Sequence, residues 1–190
     1  MLLYVVAANC RIQISAYSAN GECDNNAEAS PIGSLTLNGA TVWQAQWCGD
    51  LPDDRGVSIF LIDVLWCTLD GDRQTFDTHE SSAAATDLSD YLQQVTAGQI
   101  IVGVSGHGAT QNLDNALPAL QELGVDVADV RDYGSFAFVA QKGFAVKAVL
   151  DTVRCQRDSW TTPAYADVTV AGIRSLVRSG AIAIGYHWDN

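Results

Sequence analysis

The sequence predicts an α+β fold with antiparallel sheets, and two observations carry that prediction. Short strand patterns come first along the chain, and two amphipathic helical patterns are then set among further strands. The pair Asn38-Gly39, inside SLTLNGATVW, is a strong hairpin signal and favours antiparallel pairing. The 190 residues fit a single domain spanning 1–190, and the apolar fraction of 48% is enough for a real core.

The predicted strands are apolar or alternating stretches bounded by turn residues. A polar stretch rich in Asn and Gly, residues 18–33, is predicted to be a surface loop. Gly71 is predicted to lie at the tip of the turn LDGDRQTF. The strand predictions are Leu2–Ala8, the hairpin around Asn38-Gly39, the long apolar stretch 56–69, QIIVGVSG, SFAFVAQKG, YADVTVAG and an edge strand over Ala181–Tyr186.

Helical spacing of apolar residues predicts two helices. The first covers about Ser82 to Val95 and ends before Gly98, with a buried stripe of Leu88, Tyr91, Leu92 and Val95. The second runs from about Gln111 to Leu123, with a stripe of Leu113, Leu117, Leu120 and Leu123. Gly124 closes it, and Pro118 is expected to kink it.

Charge and motif content exclude several classes of function. The net charge is −12, which disfavours nucleic acid because phosphates need neutralising cations, and it disfavours anionic membranes too. No apolar stretch has the length of a membrane span. Phosphate-binding glycine loops, the G-x-S-x-G hydrolase elbow and metal-binding histidine spacings are all missing, so no cofactor, metal or serine hydrolase site is predicted.

The five cysteines are scattered and form no C-x-x-C pair, which favours disulfides in a secreted protein over a zinc site. Two bridges and one leftover cysteine allow about 15 arrangements, and the spacing does not choose among them. A cysteine-peptidase dyad is an alternative, because His107 follows a predicted strand and Cys155 comes 48 residues later, a spacing similar to that in caspases. The nucleophile motif is missing, so a disulfide role for Cys155 is favoured.

The order of motifs resembles the interleukin-like epithelial–mesenchymal-transition inducer domain, also called the PANDER-like domain. The motifs are NGATVW, DDRGVSIFLID, RQTFDTHES, QIIVGVSGHGATQNL, LQELG, VRDYGSFAFVAQKG and SWTTP, and Phe76-Asp77-Thr78 and Lys142-Gly143 are the sharpest of them. The resemblance covers about 34–170. It implies two antiparallel sheets packed face to face, with two or three short helices alongside. It also implies a disulfide that ties Cys155 to an N-terminal cysteine.

The resemblance further implies a carbohydrate-binding, lectin-like extracellular protein without catalysis. The family is similar to the glycan-binding stem domain of protein O-mannose N-acetylglucosaminyltransferase, so the expected ligand is a glycan of the N-acetylhexosamine or galactose type. Arg55 and Arg131, the latter beside Asp132, match glycan-contacting arginines. His107 stands where the family has an aspartate, and Tyr133 stands in for a stacking tryptophan. The alternative is a secreted cytokine-like protein that acts through a protein receptor.

The sequence allows more than one role for Arg55 and for the C-terminal strand. Arg55 could instead form a surface ion pair with Asp53 or Asp54. In the stretch RQTFDTHES we expect Phe76 to be buried, Asp77 or Thr78 to bond local backbone donors, and Ser81 or Ser82 to cap the helix. His79 and Glu80 are expected to be exposed and free to vary. The tail strand could join two chains as a homodimer, although closure of its own sheet is favoured.

Overall fold

Two antiparallel β-sheets pack face to face, and the helices cover the outer face of the second sheet. The computed structural model describes residues 4–16, 31–46, 55–106, 108–128, 130, 135–143, 149–155, 164–176 and 182–187. The elements are β1 (Tyr4–Ala16), β2 (Pro31–Leu37), β3 (Ala40–Gln46), β4 (Val57–Asp63), β5 (Thr68–Leu69), β6 (Gln74–Phe76), α1 (Ser82–Gln94), β7 (Ile100–Ser105), a 3₁₀ helix (Leu113–Ala116), α2 (Leu117–Glu122), β8 (Ser135–Gln141), β9 (Val149–Cys155), β10 (Ala164–Leu176) and β11 (Ile182–His187).

The first sheet has the strand order β11-β10-β1-β2-β3, and all its pairings are antiparallel. Its predicted hairpin is confirmed. Asn38 and Gly39 have φ values of 50° and 82°, which is the positive-φ pair of a type I′ turn. The turn is held on β1, because Asn38 N–H donates to the carbonyl of Arg11 at 2.9 Å and Arg11 N–H donates to Asn38 Oδ1 at 2.9 Å.

The second sheet has the order β5-β4-β7-β8-β9, and β6 pairs with β4 on the same side as β5. One face of this sheet packs against the first sheet. The other face is covered by α1, the 3₁₀ helix and α2, so alternate residues of the central strands enter two different cores. The predicted α+β fold of two packed antiparallel sheets is therefore confirmed.

Each side of the second sheet is closed by an apolar core. The core between the sheets includes Ile12, Ile14, Leu35, Leu37, Phe60, Ile62, Val102, Val104 and Val139. The core beneath the helices includes Val57, Ile59, Leu88, Leu92, Ile101, Leu113, Leu120, Leu123, Phe136 and Phe138. The central strands β7 and β8 are buried along their whole length, since both of their faces are covered.

The long strand predicted over 56–69 is wrong in its second half. β4 ends at Asp63, whose Oδ1 accepts hydrogen bonds from the backbone N–H groups of Leu65 at 2.8 Å and Trp66 at 3.1 Å. A carboxylate that bonds the backbone two and three residues ahead favours a turn over a continuing strand. The first strand is also longer than predicted, since it runs to Ala16 rather than Ala8.

The helix predictions hold for α1 and are corrected for the second segment. α1 has Leu88, Leu92 and Val95 buried and Tyr91 half-buried, as its spacing predicted. The second segment is a 3₁₀ helix followed by the short α2, and Pro118 lies in the first turn of α2. A proline costs nothing there because the first N–H groups of a helix have no intrahelical acceptor, so it begins a helix rather than kinking one.

A disulfide joins Cys10 of β1 to Cys67 in the β4–β5 turn, with the two Cα atoms 5.2 Å apart. A disulfide and an N-terminal partner were both predicted, but Cys10 pairs with Cys67 and not with Cys155. Cys23, Cys48 and the side chain of Cys155 lie outside the described residues. The bridge crosslinks the two sheets, since Cys10 belongs to the first and Cys67 follows a strand of the second.

Two further expectations concern the remaining chain. The predicted edge strand is confirmed, because among the described residues β11 pairs with β10 alone, from Ala171↔His187 to Leu176↔Ile182, at the margin of the first sheet. The loop predicted over 18–33 lies outside the described residues up to residue 30, and residues 31–33 belong to β2. Within the described part of the chain, no helix has the length and apolar character needed to cross a membrane.

Candidate functional site

Arg55 lies at the start of β4 and forms ion pairs with two carboxylates of the strand–helix junction. Its Nη2 contacts Asp77 Oδ2 at 2.6 Å, and its Nη1 contacts Glu80 Oε1 at 2.8 Å. The junction reaches Arg55 because β6 pairs with β4, with Val57 opposite Phe76. We refer to Arg55, Asp77 and Glu80 as the arginine–carboxylate cluster. The alternative ion-pair partners of Arg55, Asp53 and Asp54, lie outside the described residues.

The cluster is accessible from solvent. The side chains of Arg55 and Asp77 are 28% and 29% exposed, and that of Glu80 is 57% exposed. The Nε of Arg55 is buried, and nothing in the described chain accepts a hydrogen bond from it. Two carboxylates around one guanidinium leave the cluster with a formal charge of −1 at neutral pH.

Asp77 and Thr78 are structural, as their residue types predicted. Asp77 Oδ1 accepts from the N–H of Glu80 at 3.2 Å, which fixes the turn that leads into α1. Thr78 is fully buried, and its hydroxyl donates to the carbonyl of Ala109 at 2.6 Å. Ser81 is the N-cap, because its hydroxyl accepts from the N–H of Ala83 at 3.0 Å. Phe76 is half-buried against Tyr91, so its expected burial is met in part.

Close backbone packing at Gly56 brings the β7 end against the cluster. Gly56 has φ +76°, and a Cβ there would lie 1.9 Å from the carbonyl oxygen of Phe76, so only glycine fits. Its carbonyl accepts from the N–H of Gly106 at 2.6 Å. The arginine of the Arg-Gly pair is thus held directly beside the segment that follows β7.

Gly108 packs against His79 of the strand–helix junction. It has φ +61°, and a Cβ there would lie 2.1 Å from Nδ1 of His79. His79 was expected to be exposed and free to vary, and this is wrong, because its side chain is only 20% exposed and packs on this glycine. Glu80 is exposed as expected, and it forms an ion pair with Arg55.

The remaining predicted site residues, His107, Arg131, Asp132 and Tyr133, lie outside the described residues. Their described neighbours meet at one corner of the second sheet. Ser105, at the end of β7, pairs with Val57 next to the Arg-Gly pair. The hydroxyl of Ser105 also accepts from the N–H of Phe136 at 2.8 Å, which brings the start of β8 to the same corner.

The chemistry available in the described part of the site is hydrogen bonding and charge pairing. No group of three or more His, Cys, Asp or Glu side chains there is arranged to hold a metal ion. One phenol has a perturbed pKa. Burial and the nearby charge of Asp70 both raise the pKa of Tyr91, which lies on α1 behind Phe76 rather than in the cluster.

Comparison with known families matches one part of the chain, which contains β4 to β8 and the helices between them. Residues 55–144 match the family model described as interleukin-like EMT inducer. The family resemblance indicated by the motifs is confirmed over these residues. The match covers just under half of the chain, and it is narrower than the 34–170 that the motifs suggested. No curated protein matches the chain.

The interleukin-like EMT inducer match begins at the cluster and ends at the Lys-Gly pair. Lys142 Nζ donates to the carbonyl of Leu92 at 2.8 Å, near the C-terminus of α1. The backbone of Lys142 also bonds Gly98 and Gln99 at 2.7 and 3.0 Å. This family is not a known enzyme family. Of the two sharpest motifs, Phe76-Asp77-Thr78 lies just before the N-cap of α1, and Lys142 of Lys142-Gly143 bonds the C-terminal part of α1.

Sequence reasoning identified Arg55 but missed its partners. Asp77 and Glu80 are 22 and 25 residues away along the chain, so neither spacing nor local turn chemistry connects them to Arg55. The available signal was the run of four polar residues, Asp77 to Glu80, at a strand–helix corner. A corner that follows a strand paired with β4 must lie beside the start of β4.

Proposed function

We propose that this protein is a carbohydrate-binding, lectin-like extracellular protein without catalytic activity. The observation that carries the proposal is the arginine–carboxylate cluster. Sugar hydroxyls both donate and accept hydrogen bonds, and the cluster offers planar N–H donors beside carboxylate acceptors on one accessible surface. The ion pairs hold Arg55 in one geometry before a ligand arrives, which lowers the entropy lost on binding.

The remaining predicted contacts are part of this proposal. His107 would donate and accept from its two ring nitrogens, Arg131 and Asp132 would provide a second donor and acceptor pair, and Tyr133 would stack on a sugar ring. The proposal is supported by the positions of Gly106, Gly108 and Ser135, which flank these residues in the sequence and lie around the corner that carries Arg55.

The extracellular assignment is supported by the disulfide between Cys10 and Cys67, since such crosslinks persist in oxidising compartments. A glycan of the N-acetylhexosamine or galactose type is the proposed ligand. The net charge of −12 argues against nucleic acid as a competing ligand.

The test is binding of the purified protein to a panel of immobilised oligosaccharides, followed by titration with the best of them. Arg55→Gln should weaken binding by about tenfold or more, because a hydrogen bond from a charged donor is lost. Arg11→Gln is the matched control. Arg11 is also an ion-paired surface arginine, 2.6 Å from Asp167, but it lies on the first sheet. Arg131→Ala should behave like Arg55→Gln. Wild-type protein that binds no sugar on the panel, or an equal loss in the two glutamine variants, would refute the proposal.

A receptor-binding, cytokine-like function is the second candidate, and one observation favours it. Trp66 is 65% exposed at the β4–β5 turn, at the opposite end of β4 from Arg55. Exposed tryptophans are over-represented among the residues that dominate protein interfaces. Among the described residues the only other exposed large hydrophobic side chain is Val42, so a broad apolar patch does not accompany Trp66.

Binding to intact cells separates the two functions. Periodate oxidation of the cell surface destroys sugar rings but leaves most receptor polypeptides intact. Glycan binding predicts loss of binding after periodate and in Arg55→Gln, with Trp66→Ala unaffected. Receptor binding predicts the reverse pattern.

A further inference from the structure

The arginine–carboxylate cluster has a net negative formal charge, because two carboxylates surround one guanidinium. Each terminal nitrogen of the guanidinium already faces one carboxylate, at 2.6 Å for Asp77 and 2.8 Å for Glu80. Both carboxylates are accessible from solvent, and Glu80, at 57% exposed, is more accessible than Asp77 or Arg55. At this cluster, an incoming ligand therefore meets two negative charges and one positive charge that is already paired with them.

The hydrogen-bonding capacity left in the cluster includes carboxylate acceptor positions as well as the remaining N–H donors of Arg55. An ionised carboxylate has about four lone-pair positions, and Arg55 and the N–H of Glu80 take up only part of those on Asp77 and Glu80. Hydroxyl groups can donate to the remaining positions. A carboxylate or sulfate group on a ligand cannot, and it would have to approach Arg55 past two like charges.

We infer that the arginine–carboxylate cluster makes this site selective for neutral sugars, with Glu80 as the residue that rejects anionic ones. This rests on the proposed function and names its ligand class: neutral hexose or N-acetylhexosamine units are accepted, and uronate, sialylated or sulfated units are excluded. Repulsion of a competing ligand by fixed charges is a general way to gain specificity. The overall charge of −12 acts in the same direction at longer range.

The inference is tested with pairs of probes that match in length and differ in charge. One pair is N-acetyllactosamine and its sialylated form; the other is a chito-oligosaccharide and a hyaluronan oligosaccharide of equal length. Wild-type protein should bind the neutral member at least about tenfold more tightly at low salt. Raising the salt from about 10 mM to about 300 mM should narrow that ratio, because screening weakens the repulsion of the anionic member.

Glu80→Gln is the decisive variant, and Glu122→Gln is its control. Both substitutions remove one negative charge from an exposed glutamate, but Glu122 lies at the end of α2 and takes no part in the cluster. Glu80→Gln should shift the neutral-to-anionic affinity ratio several-fold towards the anionic probe, whereas Glu122→Gln should leave the ratio as in wild type. Thermal unfolding of each variant shows whether it is folded.

Three results are distinguishable. A wild-type protein that prefers the anionic probes, or an equal shift in the two variants, overturns the selectivity while leaving carbohydrate binding in place. A wild-type protein that binds neither member of either pair refutes the proposed function for these ligands, and the selectivity with it. A neutral preference that only Glu80→Gln relaxes supports both.

Discussion

Thr78 connects the strand–helix junction to the loop after β7 through a single buried hydroxyl. Its Oγ1 donates to the carbonyl of Ala109 at 2.6 Å, and its own carbonyl accepts from the N–H of Asn112 at 3.1 Å. Because the side chain is fully buried, water cannot replace the hydroxyl if it is removed. The positions of Asp77 and Glu80 beside Arg55 depend on this anchor.

Thr78→Val should therefore destabilise the protein by about 1–3 kcal/mol, since valine keeps the volume and leaves the carbonyl of Ala109 without a donor. Thr96→Val is the control, because Thr96 is exposed beyond the end of α1 and should change the free energy of unfolding by less than about 0.5 kcal/mol. Urea unfolding measures both. Equal effects in the two variants would show that the buried hydrogen bond contributes nothing.

Tyr91 makes the free energy of unfolding depend on pH in the alkaline range. Burial and the charge of Asp70 raise the pKa of its phenol above the usual value of about 10. The folded protein thus holds this proton more tightly than the unfolded chain does. The contribution is complete below about pH 10 and is lost as the pH rises through the folded pKa.

Tyr91→Phe should flatten the fall in the unfolding midpoint between about pH 9 and about pH 11, and Asp70→Asn should flatten it partly, since it removes the second cause. Denaturant unfolding across this range is the measurement. Wild-type and Tyr91→Phe curves that stay parallel would contradict the assignment.

At the scale of elements, both ends of α1 are held by side-chain hydrogen bonds, one from the adjacent residue Ser81 and one from the distant Lys142. Ser81 caps its N-terminus with a hydrogen bond to the N–H of Ala83, and Lys142 Nζ donates to the carbonyl of Leu92 near its C-terminus. A cation at a helix C-terminus also interacts favourably with the helix dipole. The orientation of α1 fixes Glu80, which lies one residue before the cap.

Ser81→Ala should cost about 1 kcal/mol of stability, because the N–H of Ala83 loses its acceptor. Ser82→Ala, one residue further on, is the control and should be nearly neutral, since Ser82 is exposed in the first turn of the helix. Thermal unfolding of the two variants side by side gives the comparison. If Ser82→Ala lost more stability than Ser81→Ala, Ser82 rather than Ser81 would be the N-cap of α1.

Elements with local signals were predictable from the sequence, and elements decided by distant contacts were not. The hairpin follows from Asn38-Gly39, and α1 follows from the spacing of its leucines. The end of β4 at Asp63 was missed because an apolar run conceals a turn made by one carboxylate. Pro118 was misread because its effect depends on where the helix begins, which periodicity leaves uncertain by several residues.

In the candidate site, too, the contacts between residues distant in the sequence were not predictable. Arg55 came from a resemblance to a family, and the residues around it have long sequence separations. Gly56 and Gly108 are required by close approaches to Phe76 and His79, and those approaches exist only once β4, β6 and β7 are assembled. Such contacts leave little trace in one sequence, because glycine also occurs in ordinary turns.

For the whole molecule, the disulfide is the one covalent link between the two sheets within the described residues. Cys10 and Cys67 are separated by 57 residues, and closing a loop of that length restricts the unfolded chain strongly. By loop-closure entropy the bridge is expected to contribute about 4 kcal/mol. Trp66, next to Cys67, is held at the surface by the same bridge.

The double variant Cys10→Ala/Cys67→Ala should thus lower the free energy of unfolding by about 4 kcal/mol, measured by urea unfolding without reductant. A reducing agent should destabilise the wild type by a similar amount. The double variant in the same reductant is the control, since any remaining effect comes from the other cysteines. A variant as stable as wild type would show that sheet packing alone holds the halves together.

The strand β11 determines whether the first sheet ends within its own chain or continues into another. It pairs with six residues of β10, Ala171 to Leu176, and its other side has no partner strand among the residues that the structure describes. Sheet edges can pair with a second copy, which for a lectin would double the glycan sites and raise avidity. The homodimer therefore stays a proposal, and closure of the sheet within one chain is the outcome we expect.

Deletion of residues 180–190 distinguishes the two, and deletion of 188–190, which keeps all of β11, is its control. If β11 closes its own sheet, the longer deletion lowers the unfolding midpoint, because six ladder pairs are lost and β10 becomes the edge. The mass measured by sedimentation then stays that of a monomer at every concentration. A wild-type dimer that becomes a stable monomer on the longer deletion, and stays a dimer on the shorter one, would instead identify β11 as the strand that joins two chains.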